Sequence, residues 1–437
     1  MEENGFIIIY IIMWIVAYFS YFKIRHRWCD IGGICILSYL LYAVLSYIVY
    51  VRKLEGNSLG EITLFPFIYL FLSYLLMLYP LLKFDVKKIK YLALMPQKHF
   101  ELLSYLIIVL SILHIPMVYQ KASSGLLLLL LDSSYGEEMY QEMAMSYSDS
   151  GYGGINIIPL LVNAFSVVSI FLLVYSFILE KTKKIISIGL VFSFVMVAIE
   201  GIVSGSRTWP ILSLITFFTF YIVLKQWIPL NRRKLINRTA IVIVSFLFLF
   251  IGALTLSRFG DKGVRDDGAF DSIISYGGMA PLYFNSYCID ANGTRNGDKI
   301  LVLLKKFVGY DTPNNFVELR EKYYYMRLDD SKFSSFVGDF VLDFGPILAF
   351  MFIISMSVFF TTHTRIKSCI LYPRQLLLIY LLLCICIQGG MYLWPFGDIG
   401  GNLKLSALIF VYIYLFIFCN GKNYSYLSSS IPSNTRK

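Results

Sequence analysis

The feature that most constrains this chain is repetition. Apolar runs about 18–22 residues long recur along most of its 437 residues, separated by short polar connections. Such runs have the length of helices that cross a bilayer. Strands of an outer-membrane barrel would instead alternate apolar and polar residues over about ten positions, and these runs do not alternate. The balance of the chain agrees: 57% of residues are hydrophobic and only 15% charged. A soluble domain of this size cannot hide so much apolar surface.

Spans are expected near 5–22, 31–51, 62–82, 100–119, 157–180, 185–203, 208–224, 239–257, 336–360, 375–395 and 403–420. The fold class is therefore an all-α polytopic membrane protein of about eleven helices. The first run, "MEENGFIIIYIIMWIVAYF", has an acidic start and no small-residue cleavage site, so it reads as a retained span. Every second connection is basic: Lys23 to Arg27, Lys83 to Lys98, Lys181 to Lys184, Arg232 to Arg238, and Arg365 to Arg374. By the positive-inside rule these face the cytoplasm, which puts the N-terminus outside and the C-terminus inside. The formal net charge of +10 is spent mostly on this orientation, so nucleic acid is not an expected partner.

The linear organisation has four parts: a bundle over 1–257, a large outward loop over 258–335, three further spans over 336–422, and a short disordered tail over 423–437. A second outward loop, over about 120–156, is acidic. The large loop holds eleven cations and eleven acids. Two semi-apolar stretches within it, "FDSIISYGGMAPLYFNSYC" and "KILVLLKKFVGY", could lie as helices along the membrane surface. "NGT" at 292–294 is a glycosylation pattern too common to carry weight.

Three clusters could carry chemistry. "EGIVSGSRTWPIL", 200–212, sets Arg207 at the mouth of a span with Glu200 two turns deeper, facing the bundle. Arg207 offers a fork of donors to a phosphate, or it snorkels to lipid head groups. "SRFGDKGVRDDG", 257–268, brings Arg258 and Arg265, either as a polyanion clamp or as partners of Asp261, Asp266 and Asp267. "YYYMRLDDSKFSSFVGDFVLDFGPI", 323–347, places tyrosines before Arg327 and Lys332; aromatics beside polar groups suit sugars and also suit a membrane interface. In the same stretch Asp339 and Asp343 share a helix face four residues apart. They require a polar environment, as a base toward a hydroxyl or as a packing device.

Among the seven cysteines there is no CxxC pair, and the acids are scattered, so no metal site is expected. No GxxxxGK[ST] or GxGxxG occurs, and no cofactor is expected. His114 is the one histidine within a span.

With about eleven spans, "GSR" at 205–207, "YGGMAPLYFNSY" at 276–287 and "SSFVGDFVLDFGPILAF" at 334–350, the chain resembles bacterial oligosaccharide repeat-unit polymerases of the O-antigen polymerase (Wzy-type) group. Some members carry Arg-x10-Gly in outward loops. Arg327 and Gly338 have that spacing, whereas Arg207 has no matching glycine and Arg258 misses by one residue. The resemblance implies a glycosyltransferase of the bacterial cytoplasmic membrane that joins undecaprenyl-diphosphate-linked repeat units into a surface polysaccharide, with membrane lipids around it and a chain-length regulator as a partner. It assigns Arg207, Arg258 and Arg265 to the diphosphate, Arg327 and Lys332 to the acceptor, and Asp339 to the base. An O-antigen ligase-like transferase and a flippase for a lipid-linked oligosaccharide are the alternatives.

Overall fold

The computed structural model describes residues 3–26, 30–54, 59–131, 157–179, 182–203, 208–238, 245, 269–328, 333–366, 368–419 and 424–428. In chain order the elements are α1 (Glu3–Arg25), α2 (Ile31–Val51), α3 (Leu64–Lys83), β1 (Tyr91–Leu94), α4 (Gln97–Leu131), α5 (Ile157–Ser176), α6 (Lys184–Val203), α7 (Thr208–Leu224), α8 (Ala269–Tyr283), α9 (Val302–Phe307), α10 (Phe316–Lys322), α11 (Ser335–His363), β2 (Ile370–Leu371), α12 (Pro373–Leu383), α13 (Asp398–Phe418) and β3 (Ser425–Ser428). Among the described residues eight helices are long and apolar enough to cross a membrane, and two shorter apolar helices run over Ile211–Trp227 and Pro373–Gln388. The chain is thus a mostly helical protein of membrane character. The expected span at 239–257 lies outside the described residues apart from position 245.

Two expected spans are interrupted. The run read as one helix over 336–360 breaks at Gly345, whose φ of 78° and ψ of 163° are open to a residue without Cβ. Pro346 follows and can donate no helical hydrogen bond. The run over 375–395 continues past Leu383 as a π-helical turn, Cys384–Gln388, and leaves the helix after Met391. Helix α4 reaches Leu131, so the acidic loop begins later than position 120.

The all-α reading misses one small sheet, of order β2-β1-β3. β1 pairs in parallel with β2 and antiparallel with β3. The tail read as disordered supplies β3. These strands come from three basic or terminal connections expected to share one side, and their pairing requires an even number of membrane crossings between them.

The chain forms two compact units, each assembled from separate stretches. One comprises Met1–Phe84, Val264–Thr364 and Leu381–Asn402; the other comprises Asp85–Gly263, Arg365–Tyr380 and Leu403–Lys437. The first is centred on rings: Trp14 stacks on Tyr39 at 5.1 Å, Tyr39 meets Tyr74 at 4.3 Å, and Tyr10 stacks on Phe67 at 4.8 Å. The Tyr39 hydroxyl donates to the Cys386 carbonyl (2.7 Å) and Tyr74 to Gly390 (3.2 Å), which anchors the interrupted helix. The second unit packs Phe171, Phe220 and Tyr380, with Phe220 and Tyr380 4.9 Å apart.

Helix α8, from the first of the two stretches expected along the membrane surface, packs against α2 within the first unit. Met279, Ala280, Leu282 and Tyr283 are buried. The Ser46 hydroxyl donates to the Gly278 carbonyl at 2.7 Å, and a Cβ on Gly278 would lie 2.5 Å from the Leu45 carbonyl carbon. The obstacle is backbone, so it cannot rotate away. Gly278→Val should force the helices apart, break this bond and cost about 1–3 kcal/mol, read as a lowered thermal midpoint in detergent.

Candidate functional site: a buried ionic clasp

The break at Gly345–Pro346 leaves the preceding half-helix with free carbonyls. Pro346 has no N–H for Leu342, four residues back. The stretch "ANGTRNGDKI", 291–300, fills the gap. Asn292, Gly293, Asn296 and Gly297 have φ of 58°, 132°, 54° and 80°, and this left-handed sequence of turns suits asparagine and glycine. It allows Arg295 N–H to donate to Leu342 O (2.8 Å) and Gly297 N–H to Asp343 O (3.2 Å).

The same docking brings four ionisable side chains together. Arg295 Nε lies 2.7 Å from Asp343 Oδ1, and its Nη2 lies 3.2 Å from Asp339 Oδ1. Lys299 Nζ lies 2.7 Å from that Asp339 oxygen. Asp339 also accepts from the Ser334 hydroxyl (3.3 Å) and from Trp394 N–H (2.8 Å). Asp343 Oδ2 accepts from the N–H groups of Lys299 (3.2 Å) and Ile300 (2.8 Å). Three interrupted pieces of chain therefore converge on two aspartates: the turn segment, the half-helix over 335–344, and the stretch after Met391. Side-chain exposure is 6% for Arg295, 1% for Asp339 and 0% for Asp343, but 15% for Lys299. Two cationic groups face two carboxyl groups, the pairing that burial demands. Burial opposes the charge of Arg295, but Asp343 and Asp339 outweigh it and hold the guanidinium more firmly protonated than usual.

A second cluster braces the turn from the far side. Asp298 accepts from the Tyr323 hydroxyl (2.7 Å) and pairs with Lys322 (2.8 Å) and Lys305. Burial pushes the Asp298 carboxyl up, yet the hydrogen bonds from Lys305, Lys322 and Tyr323 outweigh it and hold the group below its usual value. Burial, reinforced by the bond to Asp298, raises the Tyr323 phenol.

Of the residues singled out from the sequence, Asp339 lies at the centre of this clasp. Its partner at i+4, Asp343, shares the face as expected, but both meet cations rather than an open cavity. That weighs against Asp339 as a base: both its oxygens are engaged and almost no surface is left for an approaching hydroxyl. Arg327 is exposed, and its N–H donates to Ala291 O at 3.0 Å, beside the turn segment rather than in the clasp. Arg207, Arg258, Arg265 and Lys332 lie outside the described residues. In the second unit Glu200 faces the bundle, with Oε2 3.0 Å from Nε2 of the buried His114. Among the described residues no group of three or more His, Cys, Asp or Glu is placed to hold a metal ion.

Sequence reasoning missed Arg295 and Lys299. Their signal was available: two Asn-Gly pairs frame Arg295, and Asn-Gly is a turn signature.

Asp343→Asn should cost about 3–5 kcal/mol by leaving a buried charge poorly paired, and Arg295→Met in the same chain should recover part of that loss in thermal unfolding. For Asp298 the depressed value means that its contribution is complete above the ordinary carboxylate range and is lost as pH falls through the folded value. Hydrogen exchange in 302–323, corrected for intrinsic rate, should therefore rise below about pH 4, and Asp298→Asn should raise it at neutral pH. Comparison with protein-family models, with curated proteins and with solved structures gives no match.

Proposed function

We propose that the chain is a glycosyltransferase of the bacterial cytoplasmic membrane. It joins polyprenyl-diphosphate-linked oligosaccharide repeat units, transferring the growing chain from its carrier to the nonreducing end of a new unit. The donor is activated by its diphosphate, so the enzyme needs fixed positive charge for the departing anion, a seat for the acceptor sugar and no nucleotide. The observation that carries this reading is the pair Arg295 and Lys299, held side by side by Asp339. Lys299 is the more exposed of the two, and an ammonium has three donors, so it can keep Asp339 and still meet a phosphate oxygen.

On this reading Asp339 positions the cations, and no described side chain is assigned as the base. Arg207, Arg258 and Arg265 remain the proposed further contacts to the diphosphate, with Arg327 and Lys332 near the acceptor. The substrate is the undecaprenyl-diphosphate-linked oligosaccharide, and a chain-length regulator is the proposed protein partner.

A second reading has a specific observation behind it. Helices interrupted at Gly345–Pro346 and after Met391 also occur where transporters bind their cargo, which favours a flippase for the same lipid. Reconstitution separates the two. Purified protein in vesicles with lipid-linked repeat unit should yield polymer without added nucleotide. Lys299→Gln should lower that rate roughly 100-fold when assayed well below its thermal midpoint, a midpoint that loss of one clasp cation also lowers. Translocation of the lipid without any polymer would replace the transferase by the flippase.

A further inference from the structure

Helix α9 and the turn after it show an apolar face directed outward. Leu304, Phe307 and Val308, spaced i, i+3, i+4, are 57%, 90% and 64% exposed, and Tyr310 is 64% exposed. The opposite side of this short helix is tied down: Val302 is buried and Lys305 pairs with Asp298. A soluble surface would turn these two faces the other way. Phe307 in particular has almost its whole ring free, next to a lysine that bonds Asn314.

What sets the height of this face is its attachment to α13. Asp398 N–H donates to Lys299 O at 2.8 Å. The Asn402 side chain accepts from Leu303 N–H (3.3 Å) and donates to Ile300 O (3.0 Å) and Phe396 O (2.8 Å). Residues 299–303 are therefore stapled to the first turn of a 21-residue apolar helix of membrane-crossing length. The first turn of such a helix lies at the level where hydrocarbon gives way to head groups. The exposed face begins one residue after the staple, so it cannot be far from that level.

We infer that Leu304, Phe307, Val308 and Tyr310 are seated in the interfacial layer of the bilayer itself, with Phe307 as the principal anchor, and that Asn402 holds them there. The occupant of the apolar face is lipid: acyl-chain ends of the head-group region cover the rings, while Lys306 stays with water and polar groups. Because the same stretch carries Lys299, the anchor also fixes the clasp at the height of lipid phosphates. The inference concerns placement and stands whether or not the chain transfers sugars.

The test uses Phe307→Trp in the full chain, in phosphatidylcholine nanodiscs that hold one copy each. A minor fraction of the lipid carries a spin label, either near the top of the acyl chain or at its end. The unsubstituted protein supplies the background of its five native tryptophans. The added indole should emit as a buried ring and be quenched ~2-fold more by the shallow label than by the deep one, as an interfacial ring requires. Asn402→Ala in that background should reduce the difference, whereas Phe307→Trp alone alters a nearly free side chain and leaves folding intact. A water-like emission untouched by either label overturns the inference. So does shielding that develops only when two copies share a disc, which would assign the face to a second copy of the chain.

Discussion

The first unit depends on how two aspartates four residues apart are accommodated among apolar helices. Arg295 reaches both Asp339 and Asp343, and Lys299 completes the pairing. A buried pair of ions gains little net stability over apolar packing, because desolvation cancels most of the Coulomb term. Its effect is to make one arrangement far better than its neighbours. If the turn segment slips by a residue, Arg295 loses its carboxylates, and Leu342 and Asp343 lose their backbone donors together. The clasp thus specifies register more than it adds free energy.

Backbone polarity explains why the clasp sits where it does. In an apolar environment every free N–H and C=O must find a partner inside the protein. Gly345 and Pro346 end one half-helix early, and the chain leaves another helix after Met391. The turn segment supplies donors for the first break, while Trp394 N–H, freed by the second, is spent on Asp339. The interruptions therefore satisfy one another, and the ionisable side chains are part of the same accounting.

How much of this was legible in the sequence follows from range. Long apolar runs and their limits at α1, α2, α3 and α5 depend on local composition, which a sequence shows directly. Gly345 and Pro346 were also visible, but hydropathy counts them inside one span, because a short apolar half-helix and its continuation add to the same length. The shared face of Asp339 and Asp343 was a matter of helical period. Their partners were not, since Arg295 lies more than forty residues upstream and is chosen by tertiary contact. The packing of "YGGMAPLYF" against α2 was hidden for a similar reason. Gly278 is what lets α8 approach the α2 backbone, and the sequence does not show which helix it meets.

The small sheet has a temporal implication. β1 lies between residues 91 and 94, while its partners begin at 370 and 425. At ribosomal speeds of about 5–20 residues per second, the first strand waits tens of seconds for the second and longer for the third. Throughout synthesis both its edges carry unspent hydrogen-bonding groups, an invitation to wrong partners. The sheet is then completed only at the end of translation: the last strand made is the one that seals an edge left open since the first quarter of the chain emerged.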